Sequence, residues 1–134
     1  MDGMNGAEDR YVPGVCNIGP AEVRRRRLVG WLGVAGMVVL CVGLRMADAA
    51  PVWRLAVFVP ASIAASGFIQ ARMRFCANFG YRGLYNFEGI GDEQRVVLEE
   101  ALRKDRRRAW SIGVRSALIG AVAAVAAVAV AVVT

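Results

Sequence analysis

The stretch "SIGVRSALIGAVAAVAAVAVAVVT" (residues 111–134) holds one charged residue, Arg115, followed by nineteen residues drawn only from Ala, Val, Leu, Ile, Gly, Ser and Thr. Neither a 3.6-residue nor a 2-residue period leaves it a polar face, so no orientation in water satisfies it. About 20 residues rising 1.5 Å each cross the ~30 Å hydrocarbon layer of a bilayer. Arg115 lies near the start, where its long stem can carry the guanidinium to the headgroups. The stretch predicts a transmembrane helix.

Two further runs extend that reading toward the N terminus. "LVGWLGVAGMVVLCVGL" (residues 28–44) and "LAVFVPASIAASGFIQA" (residues 55–71) are each 17 residues long without a charge, although Pro60, Ser62, Ser66 and Gln70 weaken the second. With 57% apolar residues and a mean hydropathy of +0.43, the chain is too apolar for a soluble domain of 134 residues. The expectation is an all-α integral membrane protein with three transmembrane helices. The first two form a hairpin closed by residues 45–54, where Pro51 and "ADAAP" mark a turn. Four segments result: 1–27, polar; 28–71, the hairpin; 72–110, a polar loop and an amphipathic helix; and 111–134, the C-terminal span.

Basic residues orient the chain. Fourteen fall before the first span or between the second and third, against Arg45 and Arg54 alone in the hairpin loop. Such an excess marks the cytoplasmic side. The reading is a protein of the inner (plasma) membrane, with its N terminus cytoplasmic and its C terminus extracytoplasmic. Arg24, Arg25, Arg26 and Arg27 before the first span, and Arg106, Arg107 and Arg108 with Trp110 before the last, are expected to contact anionic lipid headgroups. The "RRRR" run, an apolar run and "ADAA" imitate a secretory signal. The 27-residue charged region and the interruption by Arg45 favour a retained span. A twin-arginine export signal is set aside because no soluble cargo domain follows. The charges track membrane edges and no groove-reading motif accompanies them, which excludes nucleic acid as a partner.

The central polar segment divides in two. "FGYRGLYNFEGIG" (residues 79–91) favours turns, with aromatics suited to the headgroup layer. "DEQRVVLEEALRKDRRR" (residues 92–108) predicts a helix capped by Asp92, with Glu99–Arg103 and Glu100–Lys104 pairs. Its apolar stripe of Val97, Leu98, Ala101 and Leu102 is suited either to the membrane surface or to the glycine-rich loop. This helix either runs unbroken into the last span or bends at Gly113.

Small residues recur at helical spacing: Gly30, Gly33 and Gly36 in the first run, Ala61 with Ala65 and Ser62 with Ser66 in the second, and Ser116, Gly120 and Ala124 in the third. In lipid such positions let helix backbones approach, so they are the expected packing seams.

The chemistry-bearing residues are few. With no histidine and no paired carboxylates in the spans, no catalytic residue and no cofactor are expected. Cys41 lies deep in the first run and reads as a small packing residue. Cys16 in "VCNIGPAEV" and Cys76 in "RFCANFGYRGLYNF" fall on the same side of the membrane, so the two segments are expected to dock. The pair is at most a weak metal or redox candidate, since two soft ligands are too few for zinc. At "CNIGPAEVRRRR" and "RFCANFGYRGLYNF" the chain resembles a set of small multi-span membrane proteins of high-GC bacteria. These carry a Cys-x-Ile-Gly-Pro-Ala-Glu segment and a Phe-Cys-x-x-Phe-Gly segment. The resemblance covers roughly a quarter of the chain and implies a fold type without an activity. The functional expectation is a non-enzymatic accessory, scaffold or assembly subunit of a larger membrane complex or of copies of itself. The alternative is a cytoplasmic-face thiol or metal module built on Cys16 and Cys76.

Overall fold

The computed structural model describes residues 11–87 and 94–134. The chain forms helix α1 (Pro20–Met46), a 3-10 helix (Pro51–Val57), α2 (Phe58–Met73), α3 (Ala77–Arg82), strands β1 (Leu84–Tyr85) and β2 (Gln94–Arg95), and α4 (Glu99–Val133). Three helical stretches are long and apolar enough to cross a membrane: Pro20–Met46, Pro51–Met73 and Glu99–Val133. The protein is all-α with three candidate spans, and the one small sheet among the described residues is an antiparallel ribbon of β1 and β2.

Helix α1 begins where the sequence allows it, with Gly19 extended and Pro20 in the first turn, where a missing N–H costs nothing. It continues through Arg45 to Met46, so the hairpin connection is shorter than residues 45–54. Asp48 adopts a left-handed conformation at φ 49° and turns the chain. Pro51 then opens the 3-10 helix instead of breaking one. Pro60, which has no N–H to give the Ala56 carbonyl, sits within a turn of the switch from 3-10 to α geometry, where the hydrogen-bond pattern is already changing.

Helix α2 packs against both α1 and α4. The α1–α2 contact is backbone on backbone: a Cβ on Gly33 would fall 2.5 Å from the Ala64 nitrogen, and one on Gly67 would fall 2.5 Å from the Gly30 nitrogen. Gly36 lies at the margin of this seam, its nearest neighbour being the Pro60 Cβ at 3.7 Å. On the other side of α2, a Cβ on Gly120 would strike the Ser62 hydroxyl and fall 2.9 Å from the Phe58 carbonyl oxygen. Ala109, Ile112, Ser116, Gly120 and Ala124 form the buried stripe of α4. The outward residues, including Trp31, Val39 and Val42 on α1 and Leu118, Val122 and Val125 on α4, remain exposed, outside the contacts that the three helices make with one another.

Helix α4 is a single helix of 35 residues, about 52 Å long at 1.5 Å per residue. It passes Trp110 and Gly113 without a break. Its start differs from the sequence expectation. Asp92 lies outside the described residues, and the helix begins at Glu99 behind an extended Leu98. Gln94 and Arg95 instead pair with Tyr85 and Leu84, and Val96 N–H donates to the Gly83 carbonyl at 2.7 Å. Those cross-strand bonds take the backbone groups that an earlier helix start would have used.

Candidate functional site

The polar parts of the chain meet at the end of the bundle where α1 begins and α2 ends. Gly19 shows why the N-terminal segment can enter there, since a Cβ at this position would fall 2.6 Å from the Phe87 carbonyl oxygen. Arg74, left-handed at φ 52°, ends α2 and turns its carbonyl to accept from Asn17 N–H at 3.0 Å and Ile18 N–H at 3.3 Å. Asn17, fully buried, then uses every remaining polar group it has. Its Oδ1 accepts from Cys76 N–H at 2.7 Å, its Nδ2 donates to the Cys76 carbonyl at 3.2 Å, and its own carbonyl accepts from Asn86 N–H at 2.7 Å. Gly19 N–H completes the stitch on the Asn86 carbonyl at 2.8 Å. The "CNIG" and "RFCANFG" segments are therefore docked, through Asn17.

Gln70 joins this cap to the membrane part. Its Nε2 donates to the Ser66 hydroxyl at 2.7 Å while its Oε1 accepts from Ala77 N–H at 2.8 Å, capping the first turn of α3. The glycine-rich segment is less irregular than its composition suggests, because residues up to Arg82 continue α3 and only Gly83, at φ 70°, ends it. Leu102 of α4 packs against Gly83, and Ala101 is buried, whereas Val97 and Leu98 stay exposed. The apolar stripe is thus divided between the loop and the outside. Phe79 and Phe87 are buried and Tyr85 stacks on Tyr11 at 4.7 Å, leaving Tyr81 as the outward aromatic.

Asp105 is a second fastening point that the sequence reading missed. Although it lies within "RKDRRR", it is fully buried, accepting from the Tyr11 hydroxyl and from Gly14 N–H at 2.7 Å. Burial raises its carboxyl above the usual range, against the lowering effect of those two donors. Burial, then the hydrogen bond and charge of Asp105, push the Tyr11 phenol above its ordinary range. A lone acid inside a basic run was the available signal.

The cysteines come out differently from one another. Cys76 is fully buried in an apolar cluster with Ile18 and Phe79, while Cys16 is half-buried. The Arg26 guanidinium donates to Cys76 Sγ at 2.9 Å. Burial nevertheless dominates and raises the thiol's pKa, the opposite of what a reactive thiol requires. No cysteine forms a disulfide, and among the described residues no three His, Cys, Asp or Glu side chains are grouped to hold a metal ion. Arg26 is therefore turned inward instead of toward headgroups. It stands 3.9 Å from Glu22, whose buried carboxylate accepts no hydrogen bond and is also 3.7 Å from Arg25. Arg24, Arg25, Arg27, Arg106, Arg107 and Trp110 are exposed, and Arg108 is half-buried.

Fold and cap together define an all-α membrane protein whose polar segments are folded onto one end of three candidate spans. No protein-family model, no curated protein and no solved structure matches the chain. The resemblance at the two Cys–Asn segments rests on those segments alone.

Proposed function

We propose that this protein is a small non-enzymatic accessory or assembly subunit of a larger membrane complex. In this reading it sits in the plasma membrane with the capped end in the cytoplasm and the hairpin loop and Thr134 outside. The orientation is supported by the basic residues, fourteen of which precede the first span or separate the second from the third. The observation that carries the role is the division of surfaces. The small-residue seams of α1 and α4 are already occupied by α2, while the opposite faces of both helices are apolar and open over residues 28–44 and 116–133. Those faces suit the spans of a partner. The alternative, a thiol or metal module on Cys16 and Cys76, is weakened because Cys76 is sealed in the cap with a raised pKa.

A photo-cross-linking residue placed at Val39 or Val122, both outward, tests the role against Ala64, which is buried between helices. A discrete protein adduct of the same mass from repeated preparations is expected at an outward site and not at Ala64. Lipid adducts alone at both outward sites would overturn the accessory role.

A further inference from the structure

Beside the Asn17 stitch the cap holds an open-sided cavity of about 380 Å³. Its apolar lining comes from Ile18, Pro20, Val23 and Phe87, and its charge comes from Arg24 of α1 and Arg74 at the end of α2. Both arginines are exposed, and neither pairs with an acid among the described residues. They are brought to one cavity by different helices, 50 residues apart in sequence. Arg74 is fixed there by its left-handed backbone and by the two N–H groups its carbonyl accepts. No side chain caps the first turn of α1, whose Gly19 and Pro20 line the cavity, so the positive end of that helix adds to the charge of the two arginines. Glu22, the acid in that turn, is buried with Arg26 and does not line the cavity.

We infer that this cavity is a binding site for a phosphate-bearing anion held between Arg24 and Arg74. Guanidinium forks match phosphate oxygens in geometry and charge, and two arginines lining one space lose mutual repulsion when an anion enters. Its position indicates the ligand's form. The cavity lies at the start of one candidate span and the end of the next, where phospholipid headgroups reside. A headgroup in the cavity would leave its acyl chains along the apolar surface of α1 that begins at Leu28. This site rests on the membrane reading of the fold and does not require the accessory role.

The test is native mass spectrometry of the full chain released from nanodiscs containing equal phosphatidylglycerol and phosphatidylcholine. The wild-type chain is compared with the R24Q/R74Q double variant and with R82Q/R103Q, which removes two exposed charges that do not line the cavity. The wild type and R82Q/R103Q are expected to retain one phosphatidylglycerol. R24Q/R74Q should lose at least about tenfold in its retention. Resistance of Cys76 to a thiol reagent verifies that each variant keeps its folded cap. Glycerol phosphate titrated into delipidated protein separates the sources. Binding of the lipid alone supports a membrane ligand, and Arg24/Arg74-dependent binding of glycerol phosphate at comparable affinity supports a soluble ester. Equal retention by R24Q/R74Q and wild type, or equal loss in R82Q/R103Q, overturns the site.

Discussion

The side-chain amide of Asn17 brackets the backbone of Cys76, accepting from its N–H at 2.7 Å and donating to its carbonyl at 3.2 Å. Only an amide offers both an acceptor and a donor at this spacing, so one residue ties together segments 59 positions apart. The contact holds the N-terminal segment over the bundle end and closes the cap around the Cys76 thiol.

Replacing Asn17 by alanine strands the buried N–H of Cys76, at a cost of about 1–3 kcal/mol, while the Cys76 carbonyl still accepts from Gly80 N–H at 2.9 Å. The variant should lose about 1–3 kcal/mol of cap stability. Reaction of Cys76 with a thiol reagent across a urea titration in mild detergent would measure it. Asn17→Asp should recover little, because an oxygen would then face the Cys76 carbonyl. An unchanged midpoint in Asn17→Ala would remove the stitch from the account.

Glycine substitutions should rank by what a Cβ meets. Gly33→Ala and Gly67→Ala would drive a methyl to within 2.5 Å of backbone nitrogen on the facing helix, and Gly120→Leu would strike Ser62. All three should impair folding in detergent. At Gly43 and Gly113 a Cβ meets nothing within 4 Å, so alanine there should be neutral or stabilise by about 0.5–1 kcal/mol through helix propensity. Equal tolerance at all five positions would contradict the close seams.

The membrane part was legible in the sequence because lipid imposes one requirement on every residue of a span, and that requirement shows as uninterrupted apolarity. Gly33 and Gly120 were legible for a related reason, since close helices need small residues at helical spacing. Gly67, which faces Gly30, has Ala71 at that spacing but went unnoticed beside the Ala61–Ala65 and Ser62–Ser66 pairs. The cap was much less legible. Tyr11 with Asp105 and Asn17 with Cys76 are separated by 94 and 59 residues, and polar residues that find partners at such distances look like solvated ones. The start of α4 was misplaced because helix signals at residues 92–98 are local, whereas the pairing of Gln94 with Tyr85 is not.

Tyr11 and Asp105 give the cap a pH dependence. Tyr11 ionises higher in the folded chain than the ordinary value near 10, chiefly through burial and then through Asp105. Its contribution is complete below about pH 10 and is lost as the pH rises beyond it. Asp105 is also raised, chiefly by burial, so its contribution is complete below the usual carboxyl value and declines as the pH rises through its folded value. The thermal midpoint in detergent should therefore fall at alkaline pH, and Tyr11→Phe should flatten that limb. Asp105→Asn should flatten the acid-side slope. Unaltered profiles in both variants would exclude this latch as the source.

Arg26 holds two buried groups at once, the Glu22 carboxylate and the Cys76 sulfur. Arg26→Met leaves Glu22 buried with only the half-exposed Arg25, a loss of about 3–5 kcal/mol for a broken buried pair. The double variant Glu22→Gln with Arg26→Met should recover much of it. A double-variant cycle read from unfolding midpoints checks this, and strict additivity would show that the two residues do not interact.

The central claim is that three helices cross the membrane with the cap inside and the hairpin loop outside. A membrane-impermeant thiol probe on intact cells tests it, using Ala50→Cys in the hairpin connection and Glu99→Cys at the start of α4, both exposed positions. Cys16 and Cys41 are replaced by serine and alanine, and buried Cys76 stays silent. The account predicts labelling at position 50 in intact cells and at position 99 only after lysis. Labelling of both in intact cells, or of position 99 alone, would contradict it.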